Sequence, residues 1–120
     1  MEEQKSTEGL EKARRIVDIA SDKLASDIVL LDSRGICSFA DYFVMVSGES
    51  VRQIKALAEE IVHQLKEVGI YPLHREGIAE SGWILVDYGD VIVHVFSEIE
   101  RQTYRLDEMW REARPVLRMG

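Results

Sequence analysis

One stretch limits the fold of this chain more than any other: Trp83-Ile-Leu-Val-Asp-Tyr-Gly-Asp-Val-Ile-Val-His-Val-Phe96. Two apolar runs flank Gly89-Asp90, and a glycine at the first central position supplies the positive φ that a type II′ hairpin turn requires. Such a turn predicts an antiparallel register in which Tyr88 faces Val91, Asp87 faces Ile92, Val86 faces Val93, Leu85 faces His94 and Trp83 faces Phe96. Side chains alternate across a strand, so the register sorts the hairpin into two faces. Ile84, Val86, Tyr88, Val91, Val93 and Val95 share a face of core composition. Trp83, Leu85, Asp87, Ile92, His94 and Phe96 share the other, where aromatic and aliphatic groups stand beside an acid and a histidine. That mixture is the composition of an interface.

The rest of the chain supplies the elements around this hairpin. Apolar residues at Leu10, Ala13, Ile16, Val17, Ala20 and Leu24 form a helical stripe over about 7–24. Asp27–Leu31 and Tyr42–Ser47 read as strands, with Gly48 breaking the second. Ser50 and Gln53 form a capping box that opens a helix whose stripe is Val51, Ile54, Leu57, Ala58, Ile61, Val62, Leu65 and Val68, and Gly69 suits its left-handed cap. A strand over Tyr71–Glu76 and a loop over Gly77–Gly82 lead into the hairpin. Ser97 and Glu100 make a second capping box, opening a helix to about Trp110. The order α-β-β-α-β-β-β-α predicts an α/β fold in which helices pack on a mixed sheet of about five strands. A single domain over 7–112 is expected, with terminal tails at 1–6 and 113–120; the latter contains Pro115 and no clear periodicity.

Composition narrows the function classes. Among 120 residues, 15 Lys and Arg stand against 22 Asp and Glu, a net charge of −7. That argues against broad nucleic-acid binding, which needs a basic footprint, and suits docking on a basic protein. Cys37 is the single cysteine, so neither a disulfide framework nor a thiolate metal site is expected. The acidic start lacks the pattern of a signal or transit peptide, and no apolar run approaches the ~18 residues of a membrane span. A cytoplasmic protein is the expectation.

Candidate chemistry is sparse. Ser47-Gly48-Glu49-Ser50 resembles a phosphate loop only in placing a glycine between strand and helix; it lacks a glycine-rich pattern, and Glu49 would repel phosphate. A nucleotidyltransferase would need paired carboxylates on one strand face for Mg²⁺, whereas Asp87 and Asp90 flank a turn. His63, His74 and His94 show no ligand spacing. No catalytic, cofactor or metal residue is assigned.

Several ordered blocks nevertheless look familiar: Asp41-Tyr-Phe-Val-Met-Val-Ser-Gly-Glu-Ser-Val-Arg-Gln53, Ala56-Leu-Ala-Glu-Glu60, Gly82 through Phe96, and Tyr104-Arg-Leu-Asp-Glu-Met-Trp110. Together they resemble the Iojap family of ribosomal silencing factors over roughly Leu10 to Trp110. The resemblance implies a non-enzymatic repressor of translation. Such a factor binds the large ribosomal subunit through its ribosomal protein fourteen and blocks joining with the small subunit. It also implies a fold distantly similar to nucleotidyltransferases and a weak homodimer. By motif match, the partner-binding positions are Trp83, Ile84, Leu85, Asp87, Tyr88, Gly89 and Asp90. A nucleotidyltransferase-like enzyme and a general dimeric adaptor are the alternative readings.

Overall fold

The computed structural model describes residues 2–104 and 113–119. In chain order the elements are α1 (Glu2–Asp22), β1 (Ser26–Asp32), β2 (Tyr42–Gly48), α2 (Val51–Glu67), β3 (His74–Ile78), β4 (Trp83–Asp87), β5 (Val91–Ser97), α3 (Glu98–Tyr104) and β6 (Arg114–Met119), with a 3-10 turn at Ala79–Ser81 between β3 and β4. One mixed sheet runs in the order β3-β4-β5-β2-β1-β6. Among the described residues, only β2 and β5 pair in parallel; the other neighbours are antiparallel. The hairpin adopts the register expected of its turn, from Trp83 opposite Phe96 to Asp87 opposite Ile92.

The two faces of the sheet bury different sets of side chains. On one, Ile28, Leu30, Tyr42, Val44, Val46, Val86, Val93 and Val95 pack with Ala13, Ile16 and Val17 of α1 and with Ile54, Leu57, Ala58, Ile61 and Leu65 of α2. On the other, Val29, Leu31, Phe43, Met45, Ile92 and Phe96 form a second cluster against which Trp83, Leu85 and Cys37 rest. β1 and β2 are therefore buried on both sides, as continuous apolar runs require.

Local signals explain the helix ends. Ser50 accepts the Gln53 amide at 3.1 Å, while the Gln53 side-chain oxygen takes the Glu49 amide at 2.6 Å. The reciprocal bond thus lands one residue earlier than a standard capping box places it. The Gln53 amide group also donates to the Leu24 carbonyl at 3.0 Å, tying the α1–β1 turn to the start of α2. At the other end, the Ile70 amide reaches the Leu65 carbonyl and the Gly69 amide reaches Lys66, with Gly69 at φ +81°. This pair of bonds is a Schellman cap.

Four expectations need correction. The sheet has six strands, because residues 114–119, read as tail, pair antiparallel with β1. Pro115 obscured this strand, yet on an outer edge a missing amide donor is tolerated, and the register shifts between Leu30 and Leu31 beside it. Helix α1 begins at Glu2 instead of near Thr7, since no glycine or proline precedes Gly9 to stop it. Strand β3 starts at His74 instead of Tyr71, after Pro72, and runs through Gly77 to Ile78. The Gly77–Gly82 segment is accordingly part strand and part 3-10 turn. The rest of the Tyr104–Trp110 block, beyond Tyr104, lies outside the described residues.

The β1–β6 edge is closed by charge as well as by its ladder. Asp32, buried at 5% exposure, accepts from Arg34 Nε at 2.9 Å and Nη2 at 2.7 Å, and from Arg114 Nη2 at 3.1 Å. The Arg34 guanidinium also lies 5.4 Å over the Tyr42 ring. Its side-chain hydrogen bonds hold the Asp32 carboxyl below the ordinary value of 3.8 against the opposing effect of burial, with Arg114 adding attraction. A carboxylate depressed in the folded state stabilises above its unfolded pKa, and that contribution is lost as pH falls through the lower folded value. Asp32→Asn should therefore cost about 1–3 kcal/mol at neutral pH and flatten the fall in stability below pH 3.8, measured by denaturant melts across an acid series.

Candidate partner-binding face of the hairpin

The hairpin tip is held from three directions. Gly89 adopts φ +90°, and its amide donates to Asp87 Oδ1 at 2.7 Å. The Asp90 carbonyl accepts the amides of Asp41 and Tyr42 at 2.8 and 3.0 Å. The Asp90 carboxylate meets Lys12 Nζ of α1 at 2.8 Å, where α1 comes close because residue 9 is glycine: a Cβ there would stand 3.3 Å from Asp90 Oδ2. Asp87 and Asp90 thus diverge. Asp87 lies on the second face, with His74 Nδ1 of β3 at 3.4 Å, while Asp90 turns to the helices. They form no pair that would share a cation, and among the described residues no group of three His, Cys, Asp or Glu side chains could hold a metal.

Of the residues singled out from sequence, the structure brings Trp83, Leu85 and Asp87 together on the face opposite α1 and α2, each partly exposed. Ile84 and Tyr88 point the other way into the helix-side core, at 0% and 6% exposure. Their side chains shape the hairpin and are not available to a partner. Gly89 and Asp90 set the turn and fasten it.

Trp83 is both packed and presented. Its indole N–H donates to His94 Nδ1 at 3.1 Å, so that nitrogen carries no proton while the bond is made. The His94 ring is stacked with Phe43 on one side (6.0 Å, 15°) and Phe96 on the other (5.6 Å, 7°). Trp83 itself lies 5.1 Å from Phe96. Phe39, 62% exposed, extends the row edge-on to Phe43 at 6.1 Å. Sequence reasoning placed Trp83 and His94 on one face; the bond between them could have been anticipated from the directly paired Leu85–His94 and Trp83–Phe96 register, which makes Trp83 and His94 diagonal neighbours. It missed Phe39 because that residue lies in an irregular segment.

The apparent anion site before α2 is not free. Glu49 and Gln53 amides are taken by the side chains of Gln53 and Ser50, and a Cβ on Gly48 would stand 3.0 Å from Ile54 Cγ1. Gly48 lets the helix pack closely on the strand end.

Residues 4–119 match the family model described as ribosomal silencing factor during starvation. This chain belongs to the ribosomal silencing factor family. It is 48% identical to the ribosomal silencing factor RsfS of Bacillus subtilis over 92 residues, 77% of this chain and 78% of that one. A crystal structure of a Chromobacterium violaceum protein superimposes with a TM-score of 0.82 at 32% identity, covering 92% of each chain. More distantly, the chain is 28% identical to the mouse protein named mitochondrial assembly of ribosomal large subunit protein 1, across 79% of this chain and 43% of that one. The silencing-factor fold in this chain is therefore a six-stranded mixed sheet with the hairpin near one edge and Trp83 on the face opposite α1 and α2.

Tyr88 gives this architecture a test. Among the described residues its buried hydroxyl has no hydrogen-bond partner, and burial pushes its pKa up to about 12. A pKa raised on folding means stability is full below the unfolded value of 10.0 and declines as pH rises towards 12. Tyr88→Phe should leave the melting temperature unchanged or higher, and should remove that alkaline decline in thermal melts taken across the same range.

Proposed function

We propose that this protein represses translation by occupying the large ribosomal subunit. On this reading it acts in the cytoplasm, docks the open face of the β4–β5 hairpin on ribosomal protein fourteen, and stands where the small subunit would close. The observation that supports this best is Trp83, a large aromatic ring held in one orientation by His94 and Phe96 yet left partly exposed on a face without α1 or α2. An anchor already fixed in the free protein loses little freedom on binding. Buried aromatic anchors also dominate interface energies. The family to which the chain belongs, and the large-subunit name carried by the mouse relative, favour the ribosome as partner.

Charge supports a basic protein surface over ribosomal RNA. The net charge of −7 opposes a phosphate backbone, while Asp87 and Glu76 lie beside the anchor on the β3–β4 ladder. Such rim charges chiefly raise association rates and make them salt-dependent. Asp90, paired with Lys12, contributes less to that rim than its place in the sequence suggests. No chemical step is required: a body measuring 41 × 33 × 24 Å excludes a second closely apposed surface wherever it sits. The same sticky face, with Phe39 at its border, would also support a weak homodimer that competes with docking.

Purified subunits mixed with the protein and followed by light scattering test this reading. Wild type should reduce joining in proportion to its occupancy of large subunits. Trp83→Ala should weaken binding by ~2 kcal/mol, about thirty-fold, while circular dichroism stays native. Joining that proceeds unhindered on saturated large subunits would remove the steric mechanism, and an unfolded Trp83→Ala would make the tryptophan core instead of anchor. For the dimer, sedimentation at micromolar concentration should show a monomer–dimer equilibrium that Trp83→Ala shifts to monomer.

A further inference from the structure

A cleft of about 290 Å³ opens beside Trp83, lined by Glu76, Gly77, Ser81, Trp83, Leu85 and Glu100. It is at the bottom of the ~300–1,000 Å³ range of small-molecule sites, with room for one long side chain. We propose that it receives a single arginine side chain of the docking partner; this deepens the docking reading and rests on it for the identity of the partner, but not for the chemistry of the cleft.

The cleft is built by backbone geometry that few residues permit. Gly77 has φ +85°, and a Cβ on it would lie 2.2 Å from the Trp83 carbonyl oxygen. The floor beside Trp83 therefore has to stay without a side chain. Gly82, at φ +81°, lets the first turn of α3 press down: a Cβ there would lie 2.6 Å from Glu100 Cγ and 2.9 Å from Ser97 Oγ. Ser97 Oγ in turn accepts the Glu100 amide at 3.1 Å. These contacts hold Glu100 at one lip. Glu76, opposite Leu85 in the β3–β4 ladder, forms the other.

The chemistry between the lips selects the guest. Trp83 lines the cleft with its N–H directed to His94, so what it contributes to the lining is carbon. The Ser81 hydroxyl donates to the Ile78 carbonyl at 2.7 Å, leaving its oxygen to accept. Among the described residues, no arginine or lysine lines the cleft. The basic neighbours in sequence are committed elsewhere: Arg75 reaches Glu59 of α2 at 3.1 Å, and Arg101 turns inward to the Asp27 carbonyl and Ser47 Oγ. His74 shares the strand face of Glu76 and stands between two carboxylates, with Nε2 3.5 Å from Glu76 Oε1 and Nδ1 3.4 Å from Asp87 Oδ2. Two carboxylates and an aromatic face exclude phosphates and favour a cation. A guanidinium fits better than an ammonium, because it is planar, stacks on indole and carries five donors in a fork that can serve both lips.

The test uses the isotope-labelled full chain titrated with arginine amide, with lysine amide and citrulline amide as comparisons. The readout is the Trp83 indole N–H resonance, assigned by its disappearance in Trp83→Phe. Arginine amide should move the resonance saturably, lysine amide several-fold more weakly, and neutral citrulline amide not at all. The double variant Glu76→Gln, Glu100→Gln should weaken the arginine amide response at least tenfold. It should lower affinity for purified large subunits by a similar factor while its melting temperature holds. If the double variant melts early, Glu76→Gln alone, on an exposed strand edge, takes its place with a smaller loss expected. An equal response to citrulline amide, or an unchanged response in the variants, overturns the proposal. If wild type and variant pellet equally with large subunits, the cleft proposal falls and the docking reading stands. If the arginine response holds and depends on the carboxylates but wild type ignores large subunits, the docking reading falls and the cleft keeps its guest.

Discussion

The carbonyl of Asp90 accepts two backbone protons, from Asp41 and Tyr42, and much of the architecture follows from that point. It attaches the tip of the hairpin to the first residue of β2 and sets the parallel register in which Tyr42 meets Val91 and Phe43 meets Ile92. A slip of one residue there would exchange the two faces of β2 relative to β5. Phe43 and Met45 would then turn towards α1 and α2, and the aromatic row on the opposite face would be lost. The Asp87–Gly89 bond and the Lys12–Asp90 pair act on the same point from either side. The turn thus works as the reference position for two strands and a helix.

What the face opposite α1 and α2 gains from this is a tryptophan held in one orientation. Trp83 lies on a floor of Phe96 and His94, and His94 is itself stacked with Phe43 and Phe96. A partly exposed tryptophan without such support would sample several rotamers, and binding would have to freeze them at about 0.5–1.5 kcal/mol. Here the ring is oriented by the same hydrogen bond that satisfies the indole donor. The arrangement asks nothing of acid–base chemistry.

Much of this was legible in the chain itself, for an identifiable reason. Gly89 restricts the turn, the turn restricts the register, and the alternation of Ile84, Val86, Val93 and Val95 against Trp83, Leu85, Ile92 and Phe96 then assigns both faces. The cap signals at Ser50, Ser97 and Gly69 are local and were readable on the same grounds. The features that escaped are those whose cause is distant. Leu117 and Met119 alternate with Val116 and Arg118, but the run is short and follows Pro115, and only the open edge of β1 turns it into a strand. Tyr88, beside the turn, belongs to the core face by parity and to the partner surface by motif; its burial follows the parity. Gly77 looks like an ordinary loop glycine until the Trp83 carbonyl appears across the ladder. Glu100 is distant from Glu76 in sequence, and nothing local joins them across one cleft.

The pairing of β1 with β6 has a consequence for the chain as it is made. Leu30 leaves the ribosome long before Leu117, its eventual partner, has been translated. Through that interval β1 can zip onto β2, since those two strands are neighbours in sequence, but its outer rim stays unpaired. An apolar strand with a bare rim is a template for other nascent chains, and contacts between remote segments are slow to form. Asp32 stands at the end of that rim with Arg34 already beside it, a charged gatekeeper available before Arg114 arrives. The chain thus passes through a moment of vulnerability while it is still being made.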